Sequence, residues 1–426
     1  MELRKILCAP GRYLAQFGKW ALLGLLMGGL GGLLGAGFHH VLHFVTGLRG
    51  ENPWLIFLLP LGGLATVGIY RLTRQEKNRG TNQIIDSVLE GKPVSPVIAP
   101  VIFASTAITH LLGGSAGREG AALQLGGSVA SLLGRALRLK DQRMLIMSGM
   151  SAVFAGLFGT PLTACLFVLE FTRVGTIFSP ALLPCFLAAY VASRVALALG
   201  VHPEGLLLEN GVALGLGNVW KFVALAVLVA LLGIAMCYVL HKAEHLAHGW
   251  IKNPWLRSVA GAVILVGLTL LVGDHRFNGA GMDMALAAVE GQADWYAFAL
   301  KLLFTAITLA AGFKGGEIVP TFCIGATFGC VAGGLLGLDP GLCGALGLVG
   351  LFCSVTNSPL AAIVLSLEMF GSTNLYLFCL VCVICFVLSG KSGLYASQIL
   401  GFSKVEETTR RHTGGTPQSI PMGYPG

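Results

Sequence analysis

Charge is what this chain has least of. Asp, Glu, Lys and Arg make up 11% of its 426 residues, where a soluble domain carries roughly 25%. Paired cysteine spacing is also missing. The 11 Cys residues mostly sit in apolar runs, as Cys379, Cys382 and Cys385 do, and read as small buried thiols rather than a disulfide or metal set. There is no phosphate-binding loop, no nucleophile–base pair and no metal-ligand set. An enzyme therefore finds no support, and neither a cofactor nor a metal is expected. The net charge of +8 makes no case for nucleic acid. Its clusters (Arg4, Lys5, Arg12, Lys19; Arg71, Arg74, Lys77, Arg79; Arg135, Arg138, Lys140, Arg143) lie at the ends of apolar segments. The excess of basic residues on cytoplasmic loops explains them.

What is present is apolar sequence and glycine. With 55% hydrophobic residues and a mean hydropathy of +0.78, the composition predicts an all-α polytopic membrane protein with room for about ten or more spans in a lipid bilayer. The 60 glycines suit close helix packing and unwound backbone inside a membrane. The run from Trp20 to Val45 is too long for a signal-peptide core, so it reads as a retained first span. Residues 1–19 form a basic lead, placed in the cytoplasm with the C-terminus. A first membrane repeat covers 20–200, a second 201–402, and 403–426 is a polar tail.

Two halves repeat. Shifting the chain by 198 positions lays Gly117–Gly120 (GREG) on Gly315-Gly316-Glu317-Ile318, Pro161-Leu162 on Pro359-Leu360, and Leu169-Glu170 on Leu367-Glu368. Chance matches of Gly and Leu are cheap in this composition, but matched Glu and Pro at one offset are not. Such repeats mark secondary transporters, whose helices break at matching places around a midplane site. The breaks here are 113–120 and 312–320, with Thr81-Asn82 and Asn278–Gly281 beside them. Helix N-termini offer free N–H groups and partial positive charge, so several converging ones make a site for a small anion.

Glu119 is the first candidate at that site. Ionised, it competes with the anion for the same N–H groups. Protonated, it loses its charge and can leave, which links anion movement to proton movement. The alternative is a structural ion pair with Arg118, weakened because adjacent helix residues do not face each other. Glu317 reads as its repeat counterpart, against a solvated loop Glu paired with Lys314. Tyr395, by position alone, reads as an interfacial belt residue. Glu170 and Glu368 read as structural groups at helix ends. His39, His40 and His43 have helical spacing but no carboxylate partner, so no metal site is expected there.

GREG, together with residues 160–170 (TPLTACLFVLE) and 357–368 (NSPLAAIVLSLE), resembles the CLC family of anion channels and anion/proton antiporters over about residues 20–400. The resemblance implies two inverted repeats, a homodimer with one pore per subunit, and Glu119 as the gating glutamate. It also implies that Tyr395 turns its hydroxyl to the anion, which reverses the belt reading. Gly117, Gly120, Ile318, Val319 and Gly316 belong to the matching motifs, with Arg118 in support. The chain departs from the chloride pattern in four places. Ala121 stands for the usual Pro, Gly80-Thr81-Asn82-Gln83-Ile84 stands for a GSGIP motif, and GGEIVP stands for GxFxP. Thr81 and Asn82 are both candidates to replace the family serine. Phe171 stands where many chloride/proton exchangers carry an internal proton-accepting glutamate. Glu317 and the lost GSGIP look like the bacterial fluoride/proton antiporter branch. The resemblance thus implies proton-driven fluoride export across the inner (plasma) membrane, with fluoride and protons as partners. A chloride-selective channel or chloride/proton exchanger is the alternative. The tail is too short for the regulatory domains that some family members carry.

Overall fold

A computed structural model describes residues 2–203, 205–208, 211, 212, 215, 217–401, 404, 420 and 421, with the side chains of 2–10, 12, 420 and 421 outside the described set. Most of the expected polar tail also lies outside it. Among the described residues sixteen α-helices follow in chain order, eight in each half. The first eight are α1 (Glu2–Glu51), α2 (Leu59–Leu72), α3 (Thr81–Glu90), α4 (Ile98–Leu111), α5 (Glu119–Ala136), α6 (Arg143–Phe158), α7 (Pro161–Glu170) and α8 (Leu182–Ala198). The second eight are α9 (Val219–Trp250), α10 (Pro254–Val272), α11 (Met282–Val289), α12 (Ala297–Ala310), α13 (Ile318–Leu335), α14 (Pro340–Thr356), α15 (Pro359–Phe370) and α16 (Leu375–Leu388). Six helices among the described residues are long and apolar enough to cross a bilayer, and seven further apolar ones run 10–17 residues. Fewer helices than expected are full spans, because several are half-length pieces that begin or end inside the protein. The first helix is one continuous element, so the basic lead and the first span are not separate in structure.

Proline and left-handed residues set the breaks. Gly159 (φ +72°) ends α6, and Pro161 opens α7 two residues later. In the second half Asn357 (φ +58°) ends α14 and Pro359 opens α15. A left-handed residue closes a helix, and proline at the first turn loses no hydrogen bond that the helix would make. The same pair of signals therefore gives the same break twice.

Side chains tie the two halves together reciprocally. Glu170, at the end of α7, accepts hydrogen bonds from Leu360 N (3.3 Å) and Ala361 N (3.0 Å) at the start of α15. Glu368, near the end of α15, accepts from Leu162 N and Thr163 N, both 2.8 Å, at the start of α7. Each carboxylate satisfies orphan N–H groups of the other repeat's helix. The structure thus gives both glutamates the helix-end role read from their positions.

The halves also meet at their glycine breaks. Gly117 and Gly316 form an isolated antiparallel bridge, with Gly117 N to Gly316 O at 2.7 Å and Gly316 N to Gly117 O at 2.9 Å. This mutual pair corrects the repeat register by one residue. Gly117 corresponds to Gly316, an offset of 199, and α5 and α13 start at 119 and 318, which is the same offset. Gly126 rather than Gly127 then matches Gly325, and both press on a partner glycine, Gly149 and Gly347 respectively. The offset of 198 holds from Pro161 and Pro359 onward. Sequence matching slipped because Gly117 can be laid on Gly315 or on Gly316, and the first choice also sets Glu119 on Glu317.

Candidate functional site

The site is built where α5 and α13 begin, on the two sides of the Gly117–Gly316 bridge. Only glycine permits this approach. A Cβ on Gly316 would stand 2.5 Å from Glu119 Cδ and 2.7 Å from Gly120 N, and one on Gly117 would stand 2.7 Å from Glu119 Oε1. At Gly316 a side chain would require the backbone to move, and at Gly117 it would require the Glu119 carboxylate to leave its place. With the gap closed, the two helix N-termini face one small volume.

Glu119 fills it. It is the first residue of α5 and is fully buried. Its Oε2 accepts from Arg118 N at 2.8 Å, and its Oε1 accepts from Ile318 N, the first amide of α13. A single carboxylate therefore bridges the N-terminal amides of both helices. Charge-assisted bonds to backbone N–H groups at helix starts are what a bound anion would make there. Arg118, the residue before it, turns elsewhere: its guanidinium lies 5.0 Å from the Phe158 ring centre, and Nη1 is 3.4 Å from His39 Nδ1.

Glu317 is not the structural counterpart of Glu119. Under the bridge register it corresponds to Arg118, both residues serving as N-cap, while Ile318 corresponds to Glu119. Its backbone carbonyl accepts from Thr321 N (2.9 Å) and Thr321 Oγ1 (2.8 Å). Its half-buried carboxylate has no hydrogen bond from a described residue and lies within electrostatic reach of Glu119 and of Glu244 on α9. The solvated pairing with Lys314 does not form. Lys314 Nζ instead sits 4.6 Å from the Tyr70 ring centre.

Three further elements close round this point. Thr81 opens α3 after Gly80 (φ +62°), and its hydroxyl is 3.1 Å from where a Cβ on Gly120 would stand. The side chain of Asn82 is used differently, since Oδ1 accepts from Ser397 N at 3.0 Å and ties α3 to the turn that carries Tyr395. Tyr395 is buried, edge-on to Phe171 with ring centres 5.7 Å apart, and within electrostatic reach of Glu119 and Glu317. Its hydroxyl is buried without a partner among the described residues. A phenol O–H in that state costs about 1–3 kcal/mol unless something accepts its hydrogen bond. The residue that stands in place of the usual internal acceptor, Phe171, packs the tyrosine ring.

Above Val319 and Arg118 a cavity of about 720 Å³ opens, lined also by His39, His43, Arg49 and His110. Residues not singled out in the sequence also belong to this region. Gln124 Nε2 donates to Gly120 O at 3.0 Å. Lys301 is fully buried and donates to Phe277 O (3.1 Å) and Gly279 O (2.7 Å), pinning the loop before α11. The signal for Lys301 was available, because it is the one charge within the apolar helix 297–310 and charge at membrane depth is functional or structural by default. Gln124 has no such signal, since a lone amide in a small-residue helix looks like any polar face.

Known proteins carry the same architecture. The family model "Voltage gated chloride channel" matches residues 61–390. The "Chloride/fluoride channel protein" of Pseudomonas syringae pv. tomato is 35% identical over 403 residues, covering 92% of this chain and 88% of its own. The H(+)/Cl(−) exchange transporter of Vibrio vulnificus is 26% identical, covering 89% of this chain and 88% of its own. The crystal structure of a CLC-type fluoride/proton antiporter superposes with a TM-score of 0.86 at 34% identity, covering 89% of this chain and 98% of that one. The structure of a slow cyanobacterial Cl⁻/H⁺ antiporter, at 22% identity and a TM-score of 0.72, shares the fold. Matched over most of its length, with both repeats and the glycine break in place, this multi-pass membrane protein belongs to the voltage-gated chloride channel (CLC) family.

Proposed function

We propose that this protein is a fluoride/proton antiporter that exports fluoride from the cytoplasm. The observation that carries the reading is the pair of carboxylates at one pair of helix N-termini, Glu119 bonded to the amides and Glu317 beside it. Fluoride would take the place of the Glu119 carboxylate on Ile318 N–H and Arg118 N–H, with Val319 N–H, the Thr81 hydroxyl and the Tyr395 hydroxyl as further donors. Fluoride gives up a tight hydration shell, so a site of several convergent hard donors is what it requires. Glu119 releases the amides when it takes up a proton, since the neutral acid binds N–H groups far more weakly than the anion does. Glu317 holds or donates a proton in the same volume, which spares the site two adjacent negative charges. Each fluoride leaving is thereby linked to a proton coming in.

The names of the relatives support the choice of ion: two of the similar proteins are described with fluoride. The basic clusters at 71–79 and 135–143 support an orientation in the plasma membrane with both termini in the cytoplasm. The reading includes a homodimer with one pore per copy. The test is purified protein in liposomes, with a fluoride electrode outside and a pH-sensitive dye inside. Fluoride efflux should be accompanied by internal acidification, and chloride efflux should be far slower. Fluoride efflux with no proton movement, or chloride-selective flux, would overturn the reading.

A further inference from the structure

Tyr395 is carried to the site on irregular backbone. Residues 389–398, after the end of α16, form no helix or strand. Inside a membrane protein such backbone persists only where the surrounding protein satisfies its polar groups. The Tyr395 hydroxyl has no partner among the described residues, and its ring meets Phe171 edge-on. An edge-on ring contact can slide. How far the hydroxyl reaches toward the helix N-termini therefore depends on where this turn is anchored.

Gln398 anchors it. Its backbone N–H donates to Tyr395 O at 3.1 Å and closes the turn. Its side chain is buried, and Nε2 donates to Phe171 O at 2.6 Å and to Thr356 O at 2.8 Å. Both neighbours are carbonyls, which only accept, so the amide has one orientation and spends both its hydrogens on them. Asn357 Nδ2 lies 3.5 Å from the amide oxygen and donates to Ser392 O at 2.9 Å. Phe171 is the C-cap of α7, and Thr356 is the last residue of α14. Carbonyls at a helix C-terminus have no partner within the helix. One side chain thus satisfies a helix end from each repeat, three residues after the tyrosine.

Phe171 is what joins this anchor to the site. Its ring packs the Tyr395 ring, and its carbonyl holds Gln398. Tyr395, Phe171 and Gln398 therefore form a closed loop of contacts. Two further bonds hold the same turn, from Leu394 N to Val355 O at 2.9 Å and from Ser397 N to Asn82 Oδ1 at 3.0 Å. Each of them reaches one neighbouring element, whereas Gln398 reaches both repeats and the residue on which the tyrosine ring rests.

We propose that Gln398 is a positioning residue for Tyr395, and that its two bonds to Phe171 O and Thr356 O set the tyrosine hydroxyl at the anion site. The inference rests on the proposed role of that hydroxyl as a donor to fluoride. A plain helix-end tie is the alternative, and it would stabilise the fold without regard to the hydroxyl.

A double-mutant cycle separates the two, with fluoride binding to the purified protein read by calorimetry. Gln398→Leu should weaken fluoride binding about tenfold, the scale of one lost hydrogen bond to a charged partner. Tyr395→Phe has no hydroxyl to place. Adding Gln398→Leu to it should change affinity by no more than about twofold, the scatter expected of uncoupled changes. Equal losses in the two backgrounds overturn the proposal, as does an unchanged affinity in Gln398→Leu alone. If Gln398→Leu does not give folded protein, Gln398→Asn, which draws the amide back by one methylene, takes its place in the cycle with the same expectations. Tyr395→Phe that binds fluoride as the unmodified protein does marks failure of the tyrosine's part in the site and takes the proposal with it. Weakened binding in Tyr395→Phe with equal losses from Gln398→Leu marks failure of the positioning role alone.

Discussion

The two glycine breaks share a backbone and differ in what they do with charge. Around Gly117 the N-cap is Arg118 and the first helical residue is Glu119; around Gly316 the N-cap is Glu317 and the first helical residue is Ile318. One carboxylate points across the pseudo-twofold axis onto the other repeat's amides. The other stays at its own cap with no hydrogen bond from a described residue. A symmetric pair of glutamates facing each other over an anion would repel strongly. The offset by one residue sets the two acids differently: one bonds the other repeat's first amide, and the other stays beside it. In the proposed scheme the first takes the anion's place. Farther from the site, Glu170 and Glu368 remain true symmetry mates, each capping the other half. Symmetry is thus kept at the helix caps and broken at the glycine breaks.

That comparison can be broken in graded steps. Glu317→Gln should have the largest effect of the four substitutions that follow. Proton movement in liposomes should fall at least about 100-fold, the scale of a lost acid–base group, while fluoride binding by calorimetry persists. Proton movement at the original rate would make Glu317 a bystander and return the coupling to Glu119 alone. Tyr395→Phe removes one donor and keeps the ring packed on Phe171. Losing a hydrogen bond to a charged partner, about 1.5–3 kcal/mol, predicts fluoride affinity weaker by at least about tenfold, with a melting temperature in the absence of fluoride that does not fall. An unchanged affinity would leave the tyrosine as packing only. Glu368→Ala and Glu170→Ala should be the mildest for transport. Each removes a cap of about 1 kcal/mol, so each should lower the melting temperature by a few degrees, and the two drops should be alike. A large loss of exchange in only one of them would show that the asymmetry reaches beyond the glycine breaks.

Most of this organisation is legible in the sequence. The low charge and the apolar runs require a membrane, and Pro161 with Pro359 mark the paired breaks because proline can open a helix and cannot continue one. Glu119 is legible because a carboxylate in a glycine break between apolar helices has few other uses. The register of the repeat is not, because adjacent glycines carry no side chain to tell one alignment from the next. It took the mutual hydrogen bonds of Gly117 and Gly316 to show that Glu317 matches Arg118. Asn82 was unresolved for a similar reason: Thr81 and Asn82 are both plausible donors as letters, and only the bond to Ser397 N separates a tie between segments from a group against Gly120.

The most direct test of the account is uphill transport. Liposomes holding the protein are given equal fluoride on both sides and a proton gradient, acidic inside, with the membrane potential clamped at zero. The account predicts that outward proton flow drives fluoride inward above its equilibrium level, and that Glu119→Gln abolishes this accumulation. Fluoride that only equilibrates in the unmodified protein, or accumulation that survives Glu119→Gln, would contradict it.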